Sequence, residues 1–140
     1  MAFSDPHSQV WEPLVGAAWR AWASAYAPYS GFRVGAALLR ADGSIVPGCN
    51  VENASYPVGQ CAERTAVCAA VSQGMAAGDL LALAVVTEAG ELTPPCGACR
   101  QVLAEFAGEL PILLANRTDR SLCDLRDLLP QAFTGRHLAR

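Results

Sequence analysis

Residues 80–116 read LLALAVVTEAGELTPPCGACRQVLAEFAGELPILLAN. The run at 80–88 is apolar almost without interruption and of strand length, the pattern of a strand covered on both faces. Pro94 and Pro95 then break the chain, and CGACRQVLAEFAG at 96–108 continues at helical spacing. The segment LPILLAN at 110–116 is again a buried strand. A helix set between two such strands fits a sheet with helices laid over it, a three-layer α/β domain.

The flanking sequence extends this frame in both directions. CAERTAVCAAVSQG at 61–74 is Ala-rich and helical, closed by Gly74. FRVGAALLR at 32–40 and ADGSIVPGC at 41–49 read as two strands joined by a tight turn at Asp42 and Gly43. Apolar residues recur at helical spacing over 11–26, and Pro28 ends the pattern. Downstream, SLCDL at 121–125 suits a short edge strand, and DLLPQAF at 127–133 a short terminal helix. The expected order is α-β-β-α-β-α-β-β-α on a mixed five-stranded sheet. One domain over 1–140 accounts for the length, with 1–10 and 134–140 as flexible termini.

Composition narrows the function. With 52% hydrophobic and 16% charged residues the chain has ordinary globular composition. No apolar run approaches the roughly 20 residues of a membrane span. The first residues carry neither a basic n-region nor an apolar h-region, so a cytoplasmic protein is expected, without a membrane partner. In that compartment six cysteines argue against a disulfide framework. Net charge is −3, and the ten basic residues, all Arg, form no stripe that could track a phosphate backbone. A small neutral substrate is favoured over a nucleic acid.

The Cys96-x-x-Cys99 pair can be a redox dithiol, part of a metal site, or two buried thiols. The rest of the chain bears on the choice. Cys61 opens one helix, and Cys96 with Cys99 opens another. Helix N-termini favour thiolate over thiol, and residues three apart share a face of a turn. Three converging thiolates make a zinc site with a fourth position open, the mark of a catalytic rather than a structural zinc. Glu63 stands two residues after Cys61. Inside a helix that spacing points side chains apart, but with Cys61 as the cap both can face one point. A carboxylate there can move a proton to and from water at the metal, whereas without Cys61 it would be a plain helix-start carboxylate. A redox pair leaves both Cys61 and Glu63 unexplained, and a structural zinc module lacks a fourth Cys or His. Cys49, Cys68 and Cys123 read as small core hydrophobes, and His7 and His137 as solvated.

CAER at 61–64 together with PCGACRQVL at 95–103 resembles the zinc-dependent nucleoside deaminases. YAPYSGFRVGAALLRADGSIVPGCNVENASYPVGQCAERTA and the ending LRDLLPQAF are similar to the small cytidine deaminases, so that the resemblance spans about residues 11–133. It implies Cys61, Cys96 and Cys99 as zinc ligands and Glu63 as the proton shuttle. It also implies Asn50 and Glu52 on the ribose hydroxyl, Phe32 in the pyrimidine pocket, and the Ala62 backbone N–H on the base carbonyl. Phe133 would reach the base from a neighbouring subunit of a homotetramer. The implied reaction is the hydrolysis of cytidine and 2′-deoxycytidine to the uridine products and ammonia, a step of pyrimidine salvage.

Pro94 departs from the Ser or Thr common in that family, but it keeps the backbone carbonyl used to accept from the exocyclic amine. A deaminase of a modified or antibiotic cytosine nucleoside shares PCGxCRQVL, but NVENASY at 50–56 favours the ordinary nucleoside. Read on its own, Asn-x-Glu after a strand puts both side chains on one side of an extended segment, suited to a sugar hydroxyl, or else forms an Asx turn. Arg64, three residues after Cys61, is placed to donate to the thiolates and offset their charge. A surface ion pair is its alternative role.

Overall fold

Leu80–Val86 (β3) occupies the centre of the sheet because both of its faces are apolar. Leu83 and Val85 point into one core, and Ala82, Ala84 and Val86 into the other. The structure is a computed structural model that describes residues 2–138. Among these residues the sheet has five strands in the order β2-β1-β3-β4-β5, with β1 at Gly35–Arg40, β2 at Ile45–Cys49, β4 at Pro111–Ala115 and β5 at Arg120–Asp124. Only β3 and β4 run parallel, joined through the helix Gly97–Phe106 (α3). The β1–β2, β1–β3 and β4–β5 pairs are antiparallel, which makes the sheet mixed as expected. The β1–β2 hairpin turns at Gly43, whose φ of +87° only glycine adopts at little cost.

Helix Glu12–Ala23 (α1) covers one face of the sheet, and Ala62–Ser72 (α2) with α3 covers the other. Two glycines allow the helices to sit close. A Cβ at Gly35 would lie 2.0 Å from the Ala18 carbonyl oxygen of α1. A Cβ at Gly48 would lie 2.4 Å from the Ala66 nitrogen and 2.6 Å from the Ala62 oxygen of α2. The first turn of α2 therefore rests directly on the backbone of β2, and this fixes the height of the residues that open the helix.

The elements differ from expectation mainly at their ends. The last helix is Leu125–Leu128 (α4) rather than 127–133. Asp124 caps it by accepting from the Arg126 N–H at 2.9 Å, so it starts directly at the end of β5. It stops because Leu129 precedes Pro130, a context that disfavours helical backbone, and Leu129 has ψ of 71°. Cys68, expected in the core, lies on the exposed side of α2. Residues 2–11 form two short 3-10 turns at Ala2–Ser4 and Gln9–Trp11, with Phe3 packed edge-on against the buried Trp11. Gly135–His137 is a further 3-10 turn, and the rest of the 134–140 terminus beyond residue 138 lies outside the described residues. None of the described helices is long and apolar enough to cross a membrane.

Candidate metal centre and substrate pocket

Cys61 and Cys96 occupy the same position on two different helices. Each is the N-cap residue, in extended backbone, of α2 and α3 respectively. The Cys61 carbonyl accepts from the Thr65 N–H at 3.0 Å, and the Cys96 carbonyl from the Arg100 N–H at 3.0 Å. Cys99 lies in the first turn of α3 and is fully buried. The two helix starts bring Cys61 Sγ to 3.8 Å from Cys96 Sγ, and Cys96 Sγ to 3.5 Å from Cys99 Sγ. All three sulfurs lie within 4.8 Å of one another. Zinc–thiolate bonds of about 2.3 Å in a tetrahedron separate the sulfurs by about 3.8 Å, so the donor set matches zinc in chemistry and spacing. Among the described residues no fourth His, Cys, Asp or Glu joins the cluster.

The electrostatics agree with a cation site. The Cys61 thiol is lowered to about 5, first by the hydrogen bond with Cys99 and then by Arg64. The Cys99 thiol is pushed the opposite way by the same partner, by burial and by the Glu63 charge. The opposed shifts come from crowding of the three sulfurs, whose negative charge a divalent cation would offset. Arg64 Nη2 donates to Cys61 Sγ at 3.6 Å, and no carboxylate claims that guanidinium in an ion pair among the described residues.

Glu63 is buried, 4% exposed, and its carboxyl is raised above the usual range by desolvation and, further, by the Cys61 charge. Cys61 and Glu63 border the same cavity despite their i, i+2 spacing. The cap residue lies outside the helix, so the alternation that separates i and i+2 within a helix does not apply.

Glu63 and the first two cysteines open onto a cavity of about 660 Å³, within the usual size of a small-molecule site. Its wall includes Phe32, Asn50, Glu52, Ala62, Arg64 and Pro94. The Asn50 side chain latches the loop before β1. Its Oδ1 accepts from the Val34 N–H at 2.9 Å, and its Nδ2 donates to the Phe32 carbonyl at 2.8 Å. Glu52 Oε1 accepts from the N–H groups of Tyr29 and Ser30 at 2.9 and 3.1 Å.

Phe133 does not line the cavity of its own chain. Its exposed ring stacks on His137, with centroids 5.3 Å apart and an interplanar angle of 16°. Sequence reasoning missed Tyr29, Ser30 and Tyr56 on the cavity wall. They lie within the segments that resemble the small deaminases, but no periodicity marks them as site residues.

Residues 9–113 match the family model described as the cytidine and deoxycytidylate deaminase zinc-binding region. The chain is 53% identical over 124 residues to a cytidine deaminase of Mycobacterium tuberculosis, covering 88% of this chain and 89% of that one. It is 48% identical over 123 residues to a cytidine deaminase of Halalkalibacterium halodurans, covering 86% and 92%. A crystal structure of cytidine deaminase from Burkholderia pseudomallei superposes with a TM-score of 0.83 at 49% identity, covering 86% of this chain and 97% of that one. With a family match across most of its length and the cysteine cluster and pocket in place, the chain belongs to the zinc-binding cytidine and deoxycytidylate deaminase family.

Proposed function

We propose that the protein hydrolyses the exocyclic amine of cytidine and 2′-deoxycytidine, giving the uridine products and ammonia in pyrimidine salvage. The observation that carries this reading is the opening of the three-cysteine cluster, beside the buried Glu63, into the cavity that Asn50 and Glu52 border. Cys61, Cys96 and Cys99 hold zinc. Zinc in such a site supplies Lewis acidity that makes water nucleophilic near neutral pH.

Glu63 takes the proton of the attacking water and delivers it to ring N3 as the oxygen joins C4. It then moves the second proton to the departing amine. The C4–N bond breaks, ammonia leaves and C4–O becomes a carbonyl. Burial suits Glu63 to taking the proton from water, because a desolvated carboxylate is a stronger base. The Ala62 N–H holds the base carbonyl, the Pro94 carbonyl accepts from the amine, and Phe32 packs on the pyrimidine. Asn50 and Glu52 hold the sugar hydroxyl. Arg64 offsets the charge of the thiolates, supported by its contact with Cys61.

The test is metal analysis combined with the fall in ultraviolet absorbance of cytidine. About one zinc per chain and steady loss of absorbance are expected. A zinc-loaded protein that leaves both nucleosides unchanged would overturn the reading.

The working form in this proposal is a homotetramer in which Phe133 completes a neighbour's pocket. Tyr56 and Val58, 75% and 66% exposed, support it as apolar surface suited to burial against another copy. Sedimentation is expected to give four chains per particle, and Phe133→Ala to raise KM for cytidine while leaving zinc content unchanged. A monomer with full activity would sink both parts.

A further inference from the structure

The Ser30 hydroxyl joins two parts of the cavity wall that the chain places on separate segments. It donates to Glu52 Oε2 and accepts from the Phe32 N–H at 2.9 Å. Glu52 stands on the sugar side of the proposed site and Phe32 on the base side. Asn50 closes the ring of contacts from the other direction through the Phe32 carbonyl, and Thr87 Oγ1 fixes the adjoining Arg33 carbonyl at 2.8 Å. Of the three donors to the Glu52 carboxylate, two are backbone N–H groups that any residue could supply. The third is the Ser30 side chain, which among the described residues alone holds Oε2.

We propose that Ser30 is a positioning residue for substrate binding, which holds the Glu52 carboxylate in place for the sugar hydroxyl. This rests on the cytidine reading above. With Oε1 held by two backbone N–H groups, the Ser30 hydroxyl fixes Oε2 as well, so the carboxylate has little freedom left to lose when substrate binds. The same hydroxyl is the leading reason that the Glu52 carboxyl lies below the usual carboxylate range, which keeps it an acceptor.

The test compares Ser30→Ala and Ser30→Thr on cytidine and on 2′,3′-dideoxycytidine, which lacks the hydroxyls that Glu52 would hold. Ser30→Ala is expected to raise KM for cytidine about tenfold, as for loss of a hydrogen bond to a charged group. Zinc content and Tm should match the parent, and kcat/KM on the dideoxynucleoside should stay within about twofold of it. Ser30→Thr should restore the KM, and Ser30→Ala added to Glu52→Ala should cost nothing more. A carbon-13 titration of the Glu52 carboxyl reads the contact without turnover. Its pKa should rise in Ser30→Ala and return in Ser30→Thr. An unmoved carboxyl, an equal loss on both nucleosides, or additive losses with Glu52→Ala would overturn the proposal. If the parent enzyme itself left cytidine untouched, the substrate reading would fail, and the carboxyl titration would still decide whether Ser30 sets Glu52.

Discussion

Glu63→Gln is expected to keep about one zinc per chain and the parent's fold while lowering kcat by about 10²–10⁴-fold, the usual contribution of a positioned acid–base group. Gln matches Glu in shape and can fill the same buried space, but it can neither take a proton from water nor return one. The loss should lie at the upper end, because one carboxyl serves the water, ring N3 and the amine in turn. Stability should not fall. Burial raises the Glu63 carboxyl, so its ionised form opposes folding, and that cost grows as pH rises through the elevated pKa. The uncharged Gln carries no such desolvation cost, so the fold is expected to hold. Metal analysis, melting and the cytidine assay on one preparation separate the outcomes. Loss of zinc in this variant would make Glu63 a ligand, and turnover within tenfold of the parent would remove it from proton transfer.

What the sequence conveyed about this site depends on how local each signal is. The central strand is legible because residues 80–86 form an unbroken apolar run of strand length, the mark of a strand covered on both faces. The cysteine centre is legible for a similar reason. Each cysteine of the cluster lies at a helix start, and a helix start is written in a few adjacent residues, as with Cys61 ahead of Ala62–Ser72. The Glu63 geometry follows from the cap as well.

The α4 boundary depends on two local rules acting together, the Asp124 cap and the Leu129–Pro130 pair, against the helical look of 127–133. Cys68 was misplaced because an Ala-rich helix shows little contrast between its faces, and a small apolar residue fits either one. Ser30 lay beyond local reasoning. Its contact with Glu52 spans 22 residues, and only the folded loop brings the two together.

Cys99→Ala is expected to remove the metal and activity together. Cys99 is fully buried in the first turn of α3, while Cys61 and Cys96 border the cavity, so the cluster is anchored from beneath by this one sulfur. Removing it leaves a two-cysteine site beside a small apolar gap, with neither the charge nor the coordination number that zinc requires. Zinc should fall from about one per chain to less than about a tenth. Activity should fall with it, since Glu63 alone does not make water a nucleophile.

The stability loss provides an internal check. A metal that binds only the folded chain stabilises it by about 4 kcal/mol when present at 1,000 times its Kd. Cys99→Ala should therefore melt close to the chelator-treated parent, and added zinc should raise the parent's Tm while leaving the variant's unmoved. Cys68→Ala is the matched control, since Cys68 is exposed on the same helix that Cys61 caps and lies outside the cluster. It should hold zinc and activity at the parent's level. If Cys99→Ala retained full zinc, the metal would have to be held without the one sulfur that no solvent reaches, and the three-cysteine assignment would fall.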